Sequence, residues 1–304
     1  MIVYWVFRLI IFLGRPFPPK VGYFFARIIA DICYPFFRLE RWALKDAMSR
    51  VLNTDDEAEI SLACRRSFRN FGKYVVDFIH FLDSTPEEVR SRIVFEHLER
   101  VDQVMAEKKG VMFITLHFGN WDMGAAGLSA YGYPVNVIAE TFPHSRMNAL
   151  VQGSRRHLGM KVIPMQKVGP GVIRALRRGE VLALLIDAPE PGGTVSVDFF
   201  GAPSEVPAGP ARIALRTGAR VMPAVLLRVK GEEDKIHPLV DFDLTYEKTG
   251  DEDADVRRLT QQIMSSLERL IRHDPDQWFI FHSLWNRTAK MPQTERTLAP
   301  EHQN

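Results

Sequence analysis

From residue 111 to about residue 275 the chain alternates between two kinds of hydrophobic pattern, and this constrains the fold more than anything else in it. "VMFITL" (111–116), "VNVIAE" (135–140), "KVIPM" (161–165) and "VLALLID" (181–187) are short, mostly apolar runs of strand length. Between them, "DMGAAGLSAY" (122–131), "HSRMNALVQGSRRHLG" (144–159) and "GPGVIRALRRGE" (169–180) read as helices. The alternation continues through "VSVDFF" (195–200, strand), "PAGPARIALRTG" (207–218, helix), "VMPAVLLRVK" (221–230, strand) and "IHPLVDFDL" (236–244, strand). It closes with a long helix in "DADVRRLTQQIMSSLERLIRHDP" (253–275). Strands that are apolar along their whole length, separated by helices, suit a sheet covered on both faces. The expected fold is α/β: a mixed, mainly parallel sheet flanked by helices. At 304 residues and 46% hydrophobic content, one large domain can bury a substantial core.

Upstream, residues 43–83 read as two helices. In the second, Phe68, Phe71, Val75, Phe78 and Phe81 recur at spacings of three and four, the stripe of a helix face turned to a core. Asp55 and Glu57 fall where negative charge suits a helix start. Thr85 followed by Pro86 opens a further helix, which leads through a short strand near 93–96 to a helix ending at Gly110. The first 41 residues differ in composition. They hold 11 of the 32 aromatic side chains, and six basic residues against two acidic ones, a net +4. "IVYWVFRLIIFL" (2–13) is shorter than the ~20 apolar residues that span a bilayer. The proline-rich "GRPFPPK" that follows breaks the helix and is unlike a secretory cleavage site. A helical hairpin packed on the core is one reading. An amphipathic segment lying in the headgroup region, its basic residues toward anionic lipid, is the reading favoured by aromatic density and charge. The chain therefore divides into 1–41, membrane-associating helices; 42–290, the α/β domain; and 291–304, a polar tail.

A formal net charge of +2 gives no nucleic-acid signature. Two cysteines, Cys33 and Cys64, form neither a metal spacing nor a disulfide framework, which suits a reducing compartment such as the cytosolic side of a membrane.

The chemistry concentrates in "VMFITLHFGNWD" (111–122). His117 ends a strand, where sites of open α/β sheets lie. Gly119 permits a tight turn, and Asp122 opens the next helix. An aspartate five residues on can accept a hydrogen bond from one imidazole nitrogen and leave the other as a base. The same spacing also suits a histidine bonded to a helix cap. No G-x-S-x-G elbow supplies a protein nucleophile, so a working base would act on a hydroxyl brought by a substrate. Metal binding would need ligands the chain does not cluster.

"LHFGNWD" resembles the His-x4-Asp signature of glycerolipid and lipid A acyltransferases. The branch it is most similar to contains the late lipid A acyltransferases and the phosphatidylinositol mannoside acyltransferases. "RRHLGMKVIP", the central block from "LLIDAPEPGG" through "VDFFG" and "PAGPA", and "DPDQWFIFHSLWNR" resemble further blocks of that branch, in the same order, over about residues 1–290. The resemblance implies a membrane-associated O-acyltransferase with His117 as general base and Asp122 orienting it. Asp187 would assist His117 or bind the acceptor, Arg155 or Arg156 would meet phosphate, and Asn120 would donate to the oxyanion or cap its helix. Arg212 is a weaker phosphate candidate. The donor would be acyl-CoA or acyl carrier protein, and the acceptor a glycolipid or phospholipid at the cytoplasmic face of the cell (inner) membrane. No metal or other cofactor is implied. A hydrolase of the same architecture and a non-catalytic lipid-binding membrane protein are the alternatives. His282 and Trp285 read as packing.

Overall fold

The computed structural model describes residues 2–142, 144–165, 168–188 and 193–285; the expected polar tail and parts of the loops around 166 and 190 lie outside them. A six-stranded sheet forms the centre. Its strands are β1 (Val111–Thr115), β2 (Val135–Ala139), β3 (Lys161–Pro164), β4 (Val181–Leu185), β7 (Arg220–Leu227) and β8 (His237–Val240), in the order β3-β2-β4-β1-β7-β8. All neighbours run parallel except β7 and β8, so the expected mixed, mainly parallel sheet is what forms. The helices are α1 (Ile2–Gly14), α2 (Pro19–Cys33), α3 (Arg38–Leu52), α4 (Glu57–Phe81), α5 (Pro86–Arg92), α6 (Leu98–Ala106), α7 (Trp121–Ala130), α8 (Ser145–His157), α9 (Val168–Arg177), α10 (Gly209–Thr217) and α11 (Glu252–Ile271).

Every residue of β1 is buried. Met112 and Ile114 join a core that includes Leu44 and Met48 of α3, Phe68 of α4, Val172 of α9 and Ile263 of α11. Val111 and Phe113 point the other way, into a core with Val89, Val101 and Met123 of α5, α6 and α7. This two-sided burial is why the strand reads as a continuous apolar run rather than an alternating one.

Differences from expectation have local causes. β5 (Thr194–Phe199) pairs antiparallel with β6 (Ala202–Pro207) as a separate hairpin. Two prolines in β6 hid it, since proline is tolerated in edge strands and gives no strand signal. The strand expected near 93–96 reduces to a single bridge between Ile93 and Ile236. The start of α4 is capped by Asp56, whose side chain accepts from the Ala58 N–H, so Asp55 lies outside the helix. Thr85 caps α5 as expected, in a reciprocal capping box with Glu88. The two thiols are free; burial pushes that of Cys64 up to about 12.

The N-terminal helices are α1 and α2, each packed against α4. Tyr23, Ala26 and Ala30 of α2 are buried, and Ala30 and Tyr34 belong to the same core as Met112 and Ile114. The opposite face is bare: Phe12, Phe24, Phe25, Ile29, Ile32 and Phe36 are each more than half exposed. Among the described residues, no helix is long and apolar enough to cross a membrane.

One buried carboxylate ties these layers together. Asp77 of α4 is fully buried and accepts hydrogen bonds from Tyr23 of α2, Arg92 of α5, Arg228 just past β7, and the Asn120 amide. Removing one partner of a buried ion pair strands the others' charge, at a cost of roughly 3–5 kcal/mol. Asp77→Ala is therefore expected to lose unfolding free energy on that scale, read from urea denaturation; a change near zero would show that the cluster does not hold the layers.

Candidate active site

The register of the sheet builds the site. Thr115 of β1 lies opposite Leu185 of β4, so His117 and Asp187 each stand two residues past the same rung. Neighbouring strands are only about 4.8 Å apart, and the two side chains meet. His117 Nδ1 lies 2.8 Å from Asp187 Oδ1. The backbone N–H of His117 donates to Asp187 Oδ2 at 2.9 Å, and the indole Nε1–H of Trp278 donates to the same oxygen at 3.0 Å. Asp187 is 1% exposed, whereas the His117 side chain keeps 33% of its surface. An ionised Asp187 accepts the Nδ1 proton, which leaves the Nε2 lone pair free to take a proton from outside.

Electrostatics reinforce the pairing. Burial alone would raise the Asp187 carboxyl, but His117 and Trp278 outweigh it and hold the group below the usual carboxylate range. Burial likewise draws the His117 imidazolium down; the charge and hydrogen bond of Asp187, then Asp122 and Glu140, reverse this and set its pKa above the ordinary histidine value.

The turn carrying His117 is clamped from both sides. Gly119 adopts φ +58°, and a Cβ there would overlap the carbonyl oxygen of Leu226 at the end of β7; no other residue fits. Its N–H donates to Gln277 O at 2.9 Å, and the Phe279 N–H donates to His117 O at 2.7 Å. The segment 277–279 thus pairs with the turn while sending the Trp278 indole to Asp187.

Asp122 does not hold the imidazole. Its carboxylate, in the first turn of α7, accepts from Tyr74 Oη at 3.0 Å and from Arg155 at 2.8 Å. The expected orienting bond is made by Asp187 instead. The physical reason is the turn at Gly119, which starts α7 in a direction that brings Asp122 toward α4 and α8. Arg155 is consumed in neutralising Asp122, rather than free for phosphate. Asn120 accepts from the Met123 N–H at 3.0 Å and donates to Asp77 at 3.1 Å, so it serves as the helix cap and its amide is not aimed at an oxyanion. Arg156 is exposed at the end of α8. Arg212 is exposed on α10 and lines a groove of about 630 Å³ with Arg216 and Lys248. Trp285 is buried, stacked with Phe199, in keeping with packing.

Three residues of the site escaped sequence reasoning: Trp278, Trp121 and Tyr74. Trp121 packs edge-on against the His117 ring at 5.0 Å, and Tyr74 stacks on Trp121 at 4.1 Å. The contacts continue from Tyr74 to Phe78 and from Phe78 to Phe7 of α1. Only the density of aromatics in the C-terminal block and on α4 signalled this wall. Among the described residues, no group of three or more His, Cys, Asp or Glu is placed to hold a metal ion.

A buried carboxylate behind a partly exposed imidazole, at the carboxyl ends of parallel strands, is an arrangement chemically able to accept a proton from a bound group. Comparison with known proteins sharpens this. Residues 1–287 match the bacterial lipid A biosynthesis acyltransferase family; the chain belongs to that family and is an O-acyltransferase of the glycolipid type. It is similar to a phosphatidylinositol mannoside acyltransferase of Mycobacterium tuberculosis (strain ATCC 25618 / H37Rv), 24% identical over 249 residues, which cover 80% of this chain and 76% of that one. The corresponding protein of strain CDC 1551 / Oshkosh is 23% identical over the same length. A phosphatidylinositol mannoside acyltransferase of Mycolicibacterium smegmatis is 27% identical over 183 residues, 58% of this chain and 57% of that one.

Because its folded pKa is raised, protonation of His117 stabilises the fold below its unfolded pKa of about 6.5, and this contribution fades as pH rises through the folded value. Asp187→Asn is expected to lower the His117 pKa in an NMR titration of the ring protons, and to shrink the stability lost as pH rises above the ordinary histidine value of about 6.5. An unshifted titration would show that Asp187 does not govern the imidazole.

Proposed function

We propose that the protein transfers a fatty acyl chain from an acyl thioester to a hydroxyl of a glycolipid at a membrane surface, with His117 as general base and Asp187 as the carboxylate that aims it. The observation that carries this reading is the sealed Asp187 on Nδ1 of an imidazole whose side chain stays one-third exposed. Nε2 takes the proton from the acceptor hydroxyl as its oxygen attacks the thioester carbonyl. The tetrahedral intermediate collapses, the carbon–sulfur bond breaks, and the leaving thiolate regains the proton from the imidazolium. Asp187 stabilises the positive ring meanwhile, as the carboxylate of a serine-hydrolase triad does. A positioned histidine base contributes about 10²- to 10⁴-fold, and fixing alcohol beside thioester up to roughly 7–11 kcal/mol. Asp122, held by Tyr74 and Arg155, sets the start of α7 and adds negative potential at the ring.

The donor is acyl-CoA or acyl carrier protein; nothing beyond this thioester is required by the steps above. The relatives' names point to a sugar hydroxyl of a glycolipid as acceptor. Our reading places the protein at the cytoplasmic face of the cell (inner) membrane; contact with a membrane surface is supported by the bare apolar side chains of α1 and α2, which suit insertion about 5–10 Å into the headgroup boundary. The rings running from Phe7 through Phe78, Tyr74 and Trp121 to His117 offer an apolar surface between that face and the base.

Purified protein given radiolabelled palmitoyl-CoA or palmitoyl-acyl carrier protein and a total lipid extract is expected to produce a labelled glycolipid. His117→Ala and Asp187→Ala should each lower kcat by about 10²-fold or more while far-UV circular dichroism is unchanged. Free palmitate released equally well without lipid acceptor would mean hydrolysis, and would sink the transferase reading. Phe25→Asp with Ile29→Asp, on the exposed face of α2, should leave the fold intact and abolish flotation with phospholipid vesicles.

A further inference from the structure

A basic cavity lies beside α4. α4 presents two functional faces. Phe71, Tyr74 and Phe78 meet Trp121 and Phe279 on the side of His117. Arg66, Arg69, Asn70 and Lys73, spaced by three, four and seven, fall on a different face. There they line a cavity of about 190 Å³ together with Arg27 of α2, Arg228, Lys230 and Glu233 from the segment after β7, and Asp274 and Asp276. Six basic side chains thus face three acidic ones. Arg69 is paired with Asp31, Arg228 with Asp77, and Arg27 and Lys73 share Glu233. Arg66 and Lys230 are exposed, and the charge they act on is that of Asp276. Burial and the adjoining Asp274 push the Asp276 carboxyl up to about 7, so near neutrality part of that opposition is lost to protonation.

The location argues for the ligand. On α2, Tyr23, Ala26 and Ala30 pack inward while Phe25, Ile29 and Ile32 are bare. Arg27 and Asp31 fall on the seam between these faces. The cavity therefore opens at the edge of the apolar face, at the depth where phosphates lie if that face enters a bilayer. We infer that this cavity binds the headgroup phosphate of an anionic membrane lipid, with Arg66, Lys230 and Arg27 as its cationic contacts. The inference rests on the interfacial placement of α1 and α2 proposed above. It adds a specific lipid contact separate from the reacting centre.

The test is flotation of the full chain with two vesicle types, phosphatidylcholine alone and phosphatidylcholine with about 30 mol% phosphatidylglycerol, the second standing for a strongly anionic leaflet. Wild type is expected to bind both, the anionic one more tightly. Arg66→Ala with Lys230→Ala should keep binding to neutral vesicles and lose about 30-fold on anionic ones, at the scale of ~1 kcal/mol per basic residue. Arg174→Ala with Arg177→Ala removes the same charge from exposed positions near the C-terminal end of α9, and should lose little. Equal losses in the two double variants would reduce the effect to general electrostatics and overturn the pocket. An unchanged preference in the first variant would do the same while leaving membrane association standing. Failure of wild type to float with either vesicle would overturn both readings. Thermal stabilisation by inorganic phosphate, lost in Arg66→Ala/Lys230→Ala without any vesicle effect, would assign the cavity to a soluble phosphate and overturn the lipid assignment.

Discussion

The site depends on one carboxylate that water does not reach. An ionised carboxyl in an apolar interior is costly unless donors and positive charge replace its hydration. Asp187 receives three donors, two from His117 and one from Trp278. Those donors belong to different parts of the chain: the extension of β1 and the segment after α11. The fold must close fully before Asp187 is satisfied, and closing it fixes the imidazole. The arrangement that stabilises the carboxylate and the one that aims His117 are the same hydrogen bonds.

Two further buried carboxylates divide the remaining work. Asp77 gathers Tyr23, Arg92, Arg228 and Asn120, and so joins the N-terminal helix α2 to the cap of α7. Asp122 gathers Tyr74 and Arg155, joining α4 to α8 beneath the Trp121 ring. Helix α4 contributes to both clusters and to the aromatic wall. It is the common support of the N-terminal helices and the His117–Asp187 pair. Helix α2, tied this way, acts as part of the domain, although its composition sets it apart.

Much of the fold was legible because local pattern and tertiary environment agree. β1, β2 and β4 are short apolar runs and are buried as such. α5 begins at Thr85 because its side chain satisfies a backbone donor that any helix start leaves open. β6 was not legible, because its prolines are permitted by an edge position that only the hairpin reveals. The site was half legible. His117 and Asp187 could each be placed at a strand end. The pairing of Asp122 with the ring was expected from spacing and proved to be a pairing with Arg155, since five residues of separation say nothing about the direction of a helix after a left-handed glycine.

What the sequence determined by itself is most of the elements, the family, and the residue types able to move a proton, because these follow from hydrophobic period, turn chemistry and motif. What only the tertiary structure decided is which carboxylate serves the imidazole. That depends on strand order and register: β4 lies beside β1 with Leu185 opposite Thr115, a relation between segments 70 residues apart. No local pattern encodes it, because strand pairing is settled by the joint packing of both faces of the sheet.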